Sequence, residues 1–420
     1  MTEEKLTVGI LNQKTLKEIY AYAKEYKIPY YSQLNKKELV LAVINAYGER
    51  HGVGQVQGVL DINRSEGYGF LRPINYSTSQ EDVYISSSQI RRFDLRNGDL
   101  VSGPGRMPKP GDKFKGLMQV GLVNGKHPEE AKEREHFPAL TPLYPDTQIK
   151  LETTRNRIGS RMIDLICPIG FGQRALIVAP PKAGKTSLIK EIANGITQNH
   201  PDAELIILLI DERPEEVTDI ERTVDAEVVY STFDQLPENH IKISELVLER
   251  AMRLVEDGRD VIVLMDSLTR LARAYNLTIP PSGRTLSGGI DPAAFYRPKR
   301  FFGAARNIEG GGSLTVIATA LVDTGSRMDD VIYEEFKGTG NAELHLSREL
   351  SERRVFPAID IKRSGTRRED LLLDSTTLDS VWKIRRTIKD DGLVRSEEFV
   401  KELKDSRDNK EFVKKIQLFS

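Results

Sequence analysis

A phosphate-binding loop is the first chemistry that the residues predict. An apolar strand-like run, 174–179, is followed by a short loop with proline, lysine and glycine, and helical spacing begins after Lys185. In such a loop backbone N–H groups face the phosphates, a lysine neutralises the outer ones, and a hydroxyl completes a Mg²⁺ shell. Ala179 stands where the general pattern has glycine, and an ordinary strand-to-helix turn is the alternative. The predicted phosphate-binding residues are Pro181, Lys182, Ala183, Gly184, Lys185, Thr186 and Ser187.

A second apolar strand ends in a carboxylate at Asp266. Burying a carboxylate costs free energy unless the charge meets a cation, so we expect Asp266 to face Mg²⁺ opposite Thr186. The alternative role for Asp266 is to cap the helix that starts near Ser267. An N-cap would not need so apolar a strand before it.

A third strand end carries two adjacent carboxylates and a guanidinium, at Asp211, Glu212 and Arg213. A carboxylate beside the terminal phosphate can orient or deprotonate the attacking water in ATP hydrolysis. We predict that Glu212 is this base, with Asp211 as the competing candidate. Arg213 would position either a phosphate or Glu212.

Arginines in the last third of the chain suggest a further element of ATP hydrolysis. Arg367 lies in the run Lys362–Glu369 and is a candidate for the mobile arginine that stabilises phosphate charge, often from a neighbouring subunit. A solvated charged face is the alternative. Two loops that contain Arg284 and Arg327 combine glycines with hydroxyl residues. Such loops can contact a nucleic-acid strand and move with the nucleotide state, or be plain surface loops.

Before the phosphate loop, residues 51–123 predict a small β-barrel with an RNA-binding face. Short alternating strands are predicted at 56–62, 67–72, 82–85 and 114–123. Tyr68 and Phe70 alternate with glycines, so their rings would lie on one side and could stack unpaired bases. Core packing is the alternative for these rings. Nearby residues that favour the RNA-binding interpretation are Arg72, Tyr84, Arg91 and Arg92.

The elements around these motifs predict four regions. Residues 1–50 are predicted to form a helical subdomain, with helices near 14–27 and 36–47. Residues 51–123 would form the barrel, residues 124–150 a linker, and residues 151–420 a large α/β domain. In the α/β domain the predicted strands are 174–179, 204–211, 226–231, 260–266 and 313–319, and the predicted helices are 185–198, 214–222, 239–257 and 291–306. Parallel strands would place their ligand at the carboxyl ends.

The composition of the 420 residues restricts the binding partners and the cellular compartment that we expect. The formal net charge of −1 provides no bulk basic field for nucleic acid or membrane, so an RNA site must be local. One cysteine excludes an internal disulfide framework and suits a reducing compartment. No signal peptide and no run of membrane-spanning length is evident. We therefore expect a cytoplasmic protein without a membrane partner.

With these motifs in place, the sequence resembles the bacterial transcription termination factor Rho family from about residue 50 to the end. Four stretches carry the resemblance: Ala-Pro-Pro-Lys-Ala-Gly-Lys-Thr at 179–186, Asp-Glu-Arg-Pro-Glu-Glu-Val-Thr at 211–218, Asp-Ser-Leu-Thr-Arg-Leu-Ala-Arg-Ala-Tyr-Asn at 266–276, and Arg-Val-Phe-Pro-Ala-Ile-Asp at 354–360. Alanine at 179 is this family's own form of the loop. The resemblance implies a RecA-like ATPase domain behind a cold-shock-like oligonucleotide-binding barrel.

The resemblance also implies roles for single residues. Lys182, Lys185 and Thr186 would hold phosphates and Mg²⁺, and Glu212 would be the catalytic glutamate. Arg354 and Arg367 would act on the nucleotide of the neighbouring subunit, Phe356 would stack on adenine, and the Arg284 and Arg327 loops would grip RNA in a central channel. The implied primary RNA site, which prefers cytosine, comprises Tyr68, Phe70, Arg72, Tyr84, Asp112 and Phe114.

The function implied is that of a homohexameric ATP-dependent RNA translocase. It would bind C-rich nascent RNA, move 5′ to 3′ as a helicase and release the RNA from RNA polymerase, with transcription elongation factors as further partners. Many family members have lysine at the positions of Arg284 and Arg327, and phenylalanine at that of Tyr68; phosphate neutralisation and stacking survive both changes. The alternatives are a rotary or secretion-type ring ATPase without RNA coupling, and a non-enzymatic RNA-binding protein.

Overall fold

The computed structural model describes residues 6, 10–11, 14–34, 36–51, 53–106, 108, 113–388 and 392–418. The chain divides into two compact units, Met1–Arg134 and Glu135–Ser420. The first unit begins with two helices, α1 (Leu16–Glu25) and α2 (Lys36–His51). Thr15 caps α1 in a reciprocal capping box with Glu18.

The rest of the first unit is a small barrel. Its strands are β1 (Val53–Ile62), β2 (Gly69–Arg72), β3 (Val83–Ile85), β4 (Leu100–Arg106), β5 (Lys115–Leu117) and β6 (Leu122–Val123), with helices α3 (Ser87–Arg92) and α4 (Pro128–Lys132). Five strands close in the order β1-β2-β3-β5-β4 and back to β1, and β6 extends β4. Gly58 permits this closure, because a Cβ there would lie 2.8 Å from the backbone nitrogen of Arg72.

The second unit is built on a mostly parallel sheet. Its strands are β7 (Pro142–Leu143), β8 (Arg174–Ala179), β9 (Glu204–Glu212), β10 (Glu227–Thr232), β11 (Asp260–Asp266), β12 (Arg306–Ile308), β13 (Ser313–Leu321), β14 (Ala342–His345) and β15 (Gly365–Thr366). The order is β10-β9-β11-β13-β8-β14-β15; outside this order, β12 pairs with β13, and β7 pairs with β12. The central strands are continuously apolar and buried, as parallel strands covered on both faces must be.

Helices of the second unit connect these strands and continue beyond them. They are α5 (Ile158–Ile166), α6 (Lys185–Asn199), α7 (Pro214–Thr223), α8 (Pro237–Glu256), α9 (Leu268–Thr278), α10 (Tyr296–Gly303), α11 (Arg327–Lys337), α12 (Arg348–Glu352), α13 (Ser375–Arg386), α14 (Gly392–Lys404) and α15 (Asn409–Leu418). Strands β8, β9 and β11 run in parallel, so their carboxyl ends lie at one edge of the sheet. This edge holds the candidate nucleotide site.

Four differences separate the predicted elements from those of the structure. Strand β4 was missed, because its glycines and Pro104 read as a turn, although the barrel uses them for close approach to β1 and to residues 119–121. The predicted strand 114–123 is two short strands. The predicted helix 291–306 is a short 3₁₀ turn and α10, followed by β12. Strand β14 was also missed, although it pairs directly with β8.

A buried arginine anchors the C-terminal helices to the sheet domain. Arg161 on α5 is fully buried and donates to the carbonyls of Leu403 and Ser406, and to the side chains of Ser406 and Asn409. These bonds compensate the desolvation of the guanidinium.

We therefore expect Arg161→Ala to lower the free energy of unfolding by about 3 kcal/mol, because buried carbonyl acceptors lose their donor. Urea denaturation monitored by circular dichroism measures this. The matched control is Arg155→Ala, which removes a single exposed bond to the Lys404 carbonyl and should cost well under about 1 kcal/mol. Equal losses for the two variants would contradict the anchoring role.

Candidate functional site

The loop between β8 and α6 has the backbone of a phosphate cradle. Lys182 and Gly184 adopt positive φ angles of 65° and 88°, and α6 begins at Lys185 directly after Gly184. This conformation exposes N–H groups at the N-terminus of a 15-residue helix, where an anion is favoured. Ala183 is buried and holds the loop on the core, whereas Pro181, Lys182 and Ser187 are exposed.

Lys185 brings the three predicted catalytic strand ends together. Its Nζ lies 2.6 Å from Asp266 Oδ1 and 3.0 Å from Glu212 Oε1. Burial would lower the pKa of Lys185, but the charges of Asp266 and Glu212 outweigh it and the pKa is raised. Burial, followed by repulsion from Asp266, raises the pKa of Glu212 to about 7. The Lys185 ammonium is thus paired with these two carboxylates. A phosphate that enters the loop would compete with them for the ammonium.

Asp266 is set for a cation and not for a helix cap. Its Oδ1 also accepts a 2.7 Å hydrogen bond from Thr319 on β13, while Ser267 caps α9 by accepting from the Arg270 N–H. Thr186 follows Lys185 and is partly exposed at the start of α6. A hydroxyl and a buried carboxylate are ligand types that fit Mg²⁺, which is held by few protein ligands together with substrate phosphates. The described residues contain no cluster of three or more His, Cys, Asp or Glu side chains suited to a metal.

The neighbouring carboxylates Asp211 and Glu212 have different surroundings. Asp211 Oδ2 is bound to Arg270 Nη1 at 3.0 Å, which ties the end of β9 to α9. Glu212 instead faces Lys185 with a pKa near that of a working general base. Arg213 is exposed, and its carbonyl accepts the first N–H groups of α7. The geometry favours Glu212 over Asp211 as the base.

We expect a pH dependence that reports this base. Because Glu212 must be ionised to accept a proton, kcat/KM for ATP should fall about tenfold from pH 8 to pH 6. Glu216 contributes to the raised pKa of Glu212, so Glu216→Gln should shift the profile to lower pH. Steady-state rates measured at each pH provide the check, and a profile that stays flat down to pH 6 would speak against Glu212.

The segment that contains Phe356 lies against the phosphate loop of its own chain. Ser351 Oγ donates to the Lys182 carbonyl at 2.8 Å, and the Phe356 ring lies within 3.6 Å of a Cβ built on Gly184. Phe356 is 42% exposed, as a ring that stacks on a base must be. Arg354 donates its backbone N–H to Ser351 and so belongs to the same segment. The implied role of Arg354 on the neighbour's nucleotide stays a prediction.

Arg367 lies at the opposite edge of the sheet. Its N–H donates to the Asn341 carbonyl, and Asn341 is in turn hydrogen-bonded to Arg174 at the start of β8. The phosphate loop follows the other end of β8, six residues or about 20 Å away. Arg367 is exposed and its guanidinium has no hydrogen-bond partner in the described part of the chain. It is therefore placed to act outside its own nucleotide site.

The two loops predicted to contact RNA lie side by side. Arg327 Nε donates to Ser287 Oγ at 2.5 Å, and a Cβ on Gly288 would lie 2.7 Å from the Met328 nitrogen. Arg284 and Arg327 are both exposed. The tertiary structure thus joins two segments that are 40 residues apart into one basic surface.

The predicted aromatic face of the barrel is a single cluster of rings. Phe70 is central, with its ring centroid 5.8 Å from that of Tyr68, 6.2 Å from Tyr84 and 5.1 Å from Phe114. Phe70 on β2 lies opposite Tyr84 on β3. The next residue along β2, Leu71, is fully buried in the barrel core. Tyr84 is 41% exposed, so the cluster presents aromatic surface to solvent.

Arg72 has a different setting from these rings. It is buried and its guanidinium binds Asp61 at 2.7 Å and also Asp82, while it lies over the Phe70 ring at 5.1 Å. Its charge is thus already compensated by carboxylates, and it holds Phe70 in place. Asp112, which was also predicted to contact RNA, lies outside the described residues.

Family models match most of the chain. Residues 11–52 match "Rho termination factor, N-terminal domain", 56–129 "Rho termination factor, RNA-binding domain", and 159–366 "ATP synthase alpha/beta family, nucleotide-binding domain". Transcription termination factor Rho of Bacillus subtilis (strain 168) is 67% identical over 97% of this chain and 95% of its own length. The chain belongs to the transcription termination factor Rho family. The Rho of Thermotoga maritima, at 52% identity, covers 99% of this chain and 98% of its own length.

Solved structures similar to this Rho-family chain show the fold of the ATPase domain. A prototypical ATPase from the type III secretion system of pathogenic bacteria has a TM-score of 0.52 and 23% identity, covering 62% of this chain and 83% of its own. The assembled ATPase EscN from enteropathogenic E. coli has a TM-score of 0.53 and 23% identity, and the match covers 68% of this chain and 74% of the EscN chain. Family membership, the RNA-binding domain and the nucleotide-binding domain make this an ATP-hydrolysing enzyme that binds ATP and RNA.

Sequence analysis of this Rho-family chain missed two arginines that join its sites. Arg270 and Arg273 lie on α9, directly after Asp266; the first binds Asp211, and the second binds Asp329 at 2.6 Å beside the Arg327 loop. Their spacing of three residues on a helix was the available signal.

None of the helices in the described part of the chain combines the length and apolarity that a membrane crossing needs.

Proposed function

We propose that this chain is an ATP-dependent RNA translocase and helicase that terminates transcription. It binds C-rich nascent RNA on its barrel, threads the RNA through a homohexameric ring and releases it from RNA polymerase. Transcription elongation factors are further partners, and the cytoplasm is its setting. The proposal combines Rho-family membership with the geometry of three groups. They are the phosphate site, the cluster of aromatic rings on the barrel, and the surface that carries Arg284 and Arg327.

One observation carries the proposal: a complete phosphate site and an exposed aromatic cluster occur in one chain. Lys185, Glu212 and Asp266 meet within hydrogen-bonding distance. A ring ATPase that ignored RNA would have no use for the exposed Tyr84 ring packed beside Phe70. Coupling the two gives a motor that reads single-stranded RNA.

The residues of the site divide the work of hydrolysis. Binding of ATP draws Lys185 from its carboxylates onto the phosphates, which frees Glu212 to orient and deprotonate the attacking water. Thr186 and Asp266 would hold Mg²⁺, which neutralises charge on the phosphate oxygens when bound. Phe356 stacks on the adenine, because it lies beside the same loop.

The position of Arg367 supports the proposed ring. Because the length of β8 separates Arg367 from the phosphate loop of its own chain, the arginine is better placed to serve the nucleotide of a neighbour. A head-to-tail arrangement of identical subunits whose rotation closes into a ring gives each site one such arginine.

ATP hydrolysis by the purified chain without RNA, with poly(C) and with poly(A) tests the proposal. We expect strong stimulation by poly(C), weaker stimulation by poly(A), and no turnover in a Lys185→Ala control. Turnover that is indifferent to RNA would overturn the coupling. It would instead favour a rotary or secretion-type ATPase, the alternative that the nucleotide-binding domain match supports.

The ring cluster gives a separate prediction. Tyr84→Ala should weaken poly(C) binding by about 1–3 kcal/mol, because it removes an exposed stacking surface. Tyr84→Phe keeps the ring and should bind nearly as the wild type does. Fluorescence anisotropy with a labelled oligo(C) measures both affinities, and equal losses in the two variants would rule out stacking.

A further inference from the structure

The end of β9 bends where it carries its two carboxylates. The pairing register with β10 skips Asp211, which lies between the paired residues Ile210 and Glu212 and has a positive φ angle of 58°. A bulge of this kind re-aims the side chains beside it. Here the Asp211 carboxylate binds Arg270, while the Glu212 carboxylate faces Lys185.

The end of β10 holds Glu212 through the backbone. Directly after Thr232, the last residue of β10, the Phe233 N–H donates to the Glu212 carbonyl at 3.2 Å. Phe233 and Leu236 are 59% and 68% exposed, so the large apolar side chains of this segment contribute little packing. The orientation of Glu212 therefore depends on the polar contacts that fix residues 231–236.

A buried chain of hydrogen bonds fixes this segment. The Ser231 hydroxyl donates to Gln235 Oε1 at 2.9 Å and lies 2.6 Å from Nδ1 of His240 on α8. A serine hydroxyl has one hydrogen, so the second bond needs an Nδ1–H donor from the imidazole. Burial lowers the pKa of His240, against the weaker opposite effect of Asp211 and Glu238, and so favours the neutral ring. The bonds thus join β10, the turn after it and α8.

Helix α8 gives the imidazole a fixed position. The His240 carbonyl accepts from Ser244 Oγ at 2.7 Å, and Ile243, Val247 and Ala251 on the same 20-residue helix are buried. The helix therefore cannot move without disturbing the core.

We propose that His240 and Ser231 are positioning residues for the catalytic base, which hold the Glu212 carboxylate in place beside Lys185. They act through the backbone at the end of β10 and do not reach the reacting atoms. The inference rests on the proposed role of Glu212 in ATP hydrolysis. A misplacement of about 1 Å can cost about a hundredfold in rate. Loss of the bonds should therefore lower kcat, whereas the phosphate loop between β8 and α6 should keep the KM for ATP.

His240→Leu in the full chain tests the proposal, because it removes the Nδ1–H donor and keeps a buried side chain. We expect kcat for ATP with poly(C) to fall at least about tenfold at an unchanged KM. His240→Asn should restore most of the turnover, since an amide nitrogen can donate from the Nδ1 position. His200→Leu is the matched control and should keep kcat. The His200 ring packs on that of Phe171, 5.3 Å away, beyond the far end of α6.

The pH profile separates positioning from a general loss of structure. Charges that act on Glu212 come from Lys185 on α6, Asp266 on β11 and Glu216 on α7. Burial is the main cause that raises the pKa of Glu212, so a displaced carboxylate should have a lower pKa. The acid limb of kcat/KM in His240→Leu should therefore move to lower pH. A smaller folded fraction would instead lower the rate without moving this limb.

Ser231→Ala provides a second test if His240→Leu does not fold by circular dichroism. It removes the hydroxyl that joins both partners and should lower kcat about fivefold at an unchanged KM. An unchanged kcat in the folded variant would overturn the proposal. A loss that His240→Asn shares, or an acid limb that stays in place, would also overturn it.

Glu212→Gln, measured in parallel, distinguishes this inference from the proposed function. It should abolish turnover, and full turnover would overturn both the assignment of the base and the positioning role. No turnover in Glu212→Gln together with full turnover in His240→Leu would overturn the positioning role alone. A wild type that RNA does not stimulate would refute the RNA coupling alone, because the same comparisons hold for turnover without RNA.

Discussion

Arg367→Ala should abolish RNA-stimulated ATP hydrolysis, by about a thousandfold or more, while ATP binding remains largely intact. The reason is geometric: Arg367 lies one strand length from the phosphate loop of its own chain, and its exposed guanidinium makes no hydrogen bond in the described structure. In the proposed ring it would therefore stabilise transition-state charge on another subunit's nucleotide. Turnover with poly(C), together with equilibrium binding of a fluorescent ATP analogue, measures the two effects separately.

Subunit mixing sharpens this test. Rings mixed from Arg367→Ala and Lys185→Ala chains contain some interfaces in which an intact loop meets an intact arginine, so part of the turnover should return. Arg363→Ala is a matched control, since this exposed arginine is only four residues away and should retain turnover. Loss of nucleotide binding in Arg367→Ala, or no recovery in mixed rings, would argue against action on a neighbour.

Lys185→Ala is expected to eliminate turnover, by at least about a thousandfold, and to weaken ATP binding as well. This lysine is the cation shared by Asp266 and Glu212, and its removal leaves the two carboxylates facing each other. Repulsion should then raise the pKa of Glu212 further and keep the base protonated at neutral pH. Hydrolysis rates and analogue binding at pH 7 to 9 check both consequences.

Lys190→Ala is the control for this substitution, because Lys190 lies on the same helix and its ammonium binds Asp219 at 2.7 Å, away from Glu212 and Asp266. It should leave turnover and ATP affinity near wild-type values. Full activity of Lys185→Ala would remove the phosphate loop from the mechanism. A loss in Lys190→Ala as large as that in Lys185→Ala would point to a general effect on α6.

The phosphate loop and the aromatic face of the barrel were predictable because both are local. The strand, the loop and the helix around Lys185 are continuous in sequence, and backbone geometry alone directs their N–H groups. Tyr68 and Phe70 are two residues apart on extended chain, so they share a face. Strand β4 escaped prediction because its glycines serve distant partners across the barrel.

Tertiary structure alone decided which charges meet. Lys185, Glu212 and Asp266 are separated by 27 and 81 residues, and only the parallel order of β8, β9 and β11 brings them together. The fold also places Arg354 beside the phosphate loop and Arg367 at the opposite end of β8, although the sequence predicts action on a neighbour's nucleotide for both. It gathers Arg174, Arg306 and Arg367 around one cavity. Sequence patterns determine local conformation and burial, but long-range strand order determines the electrostatic neighbours of each side chain.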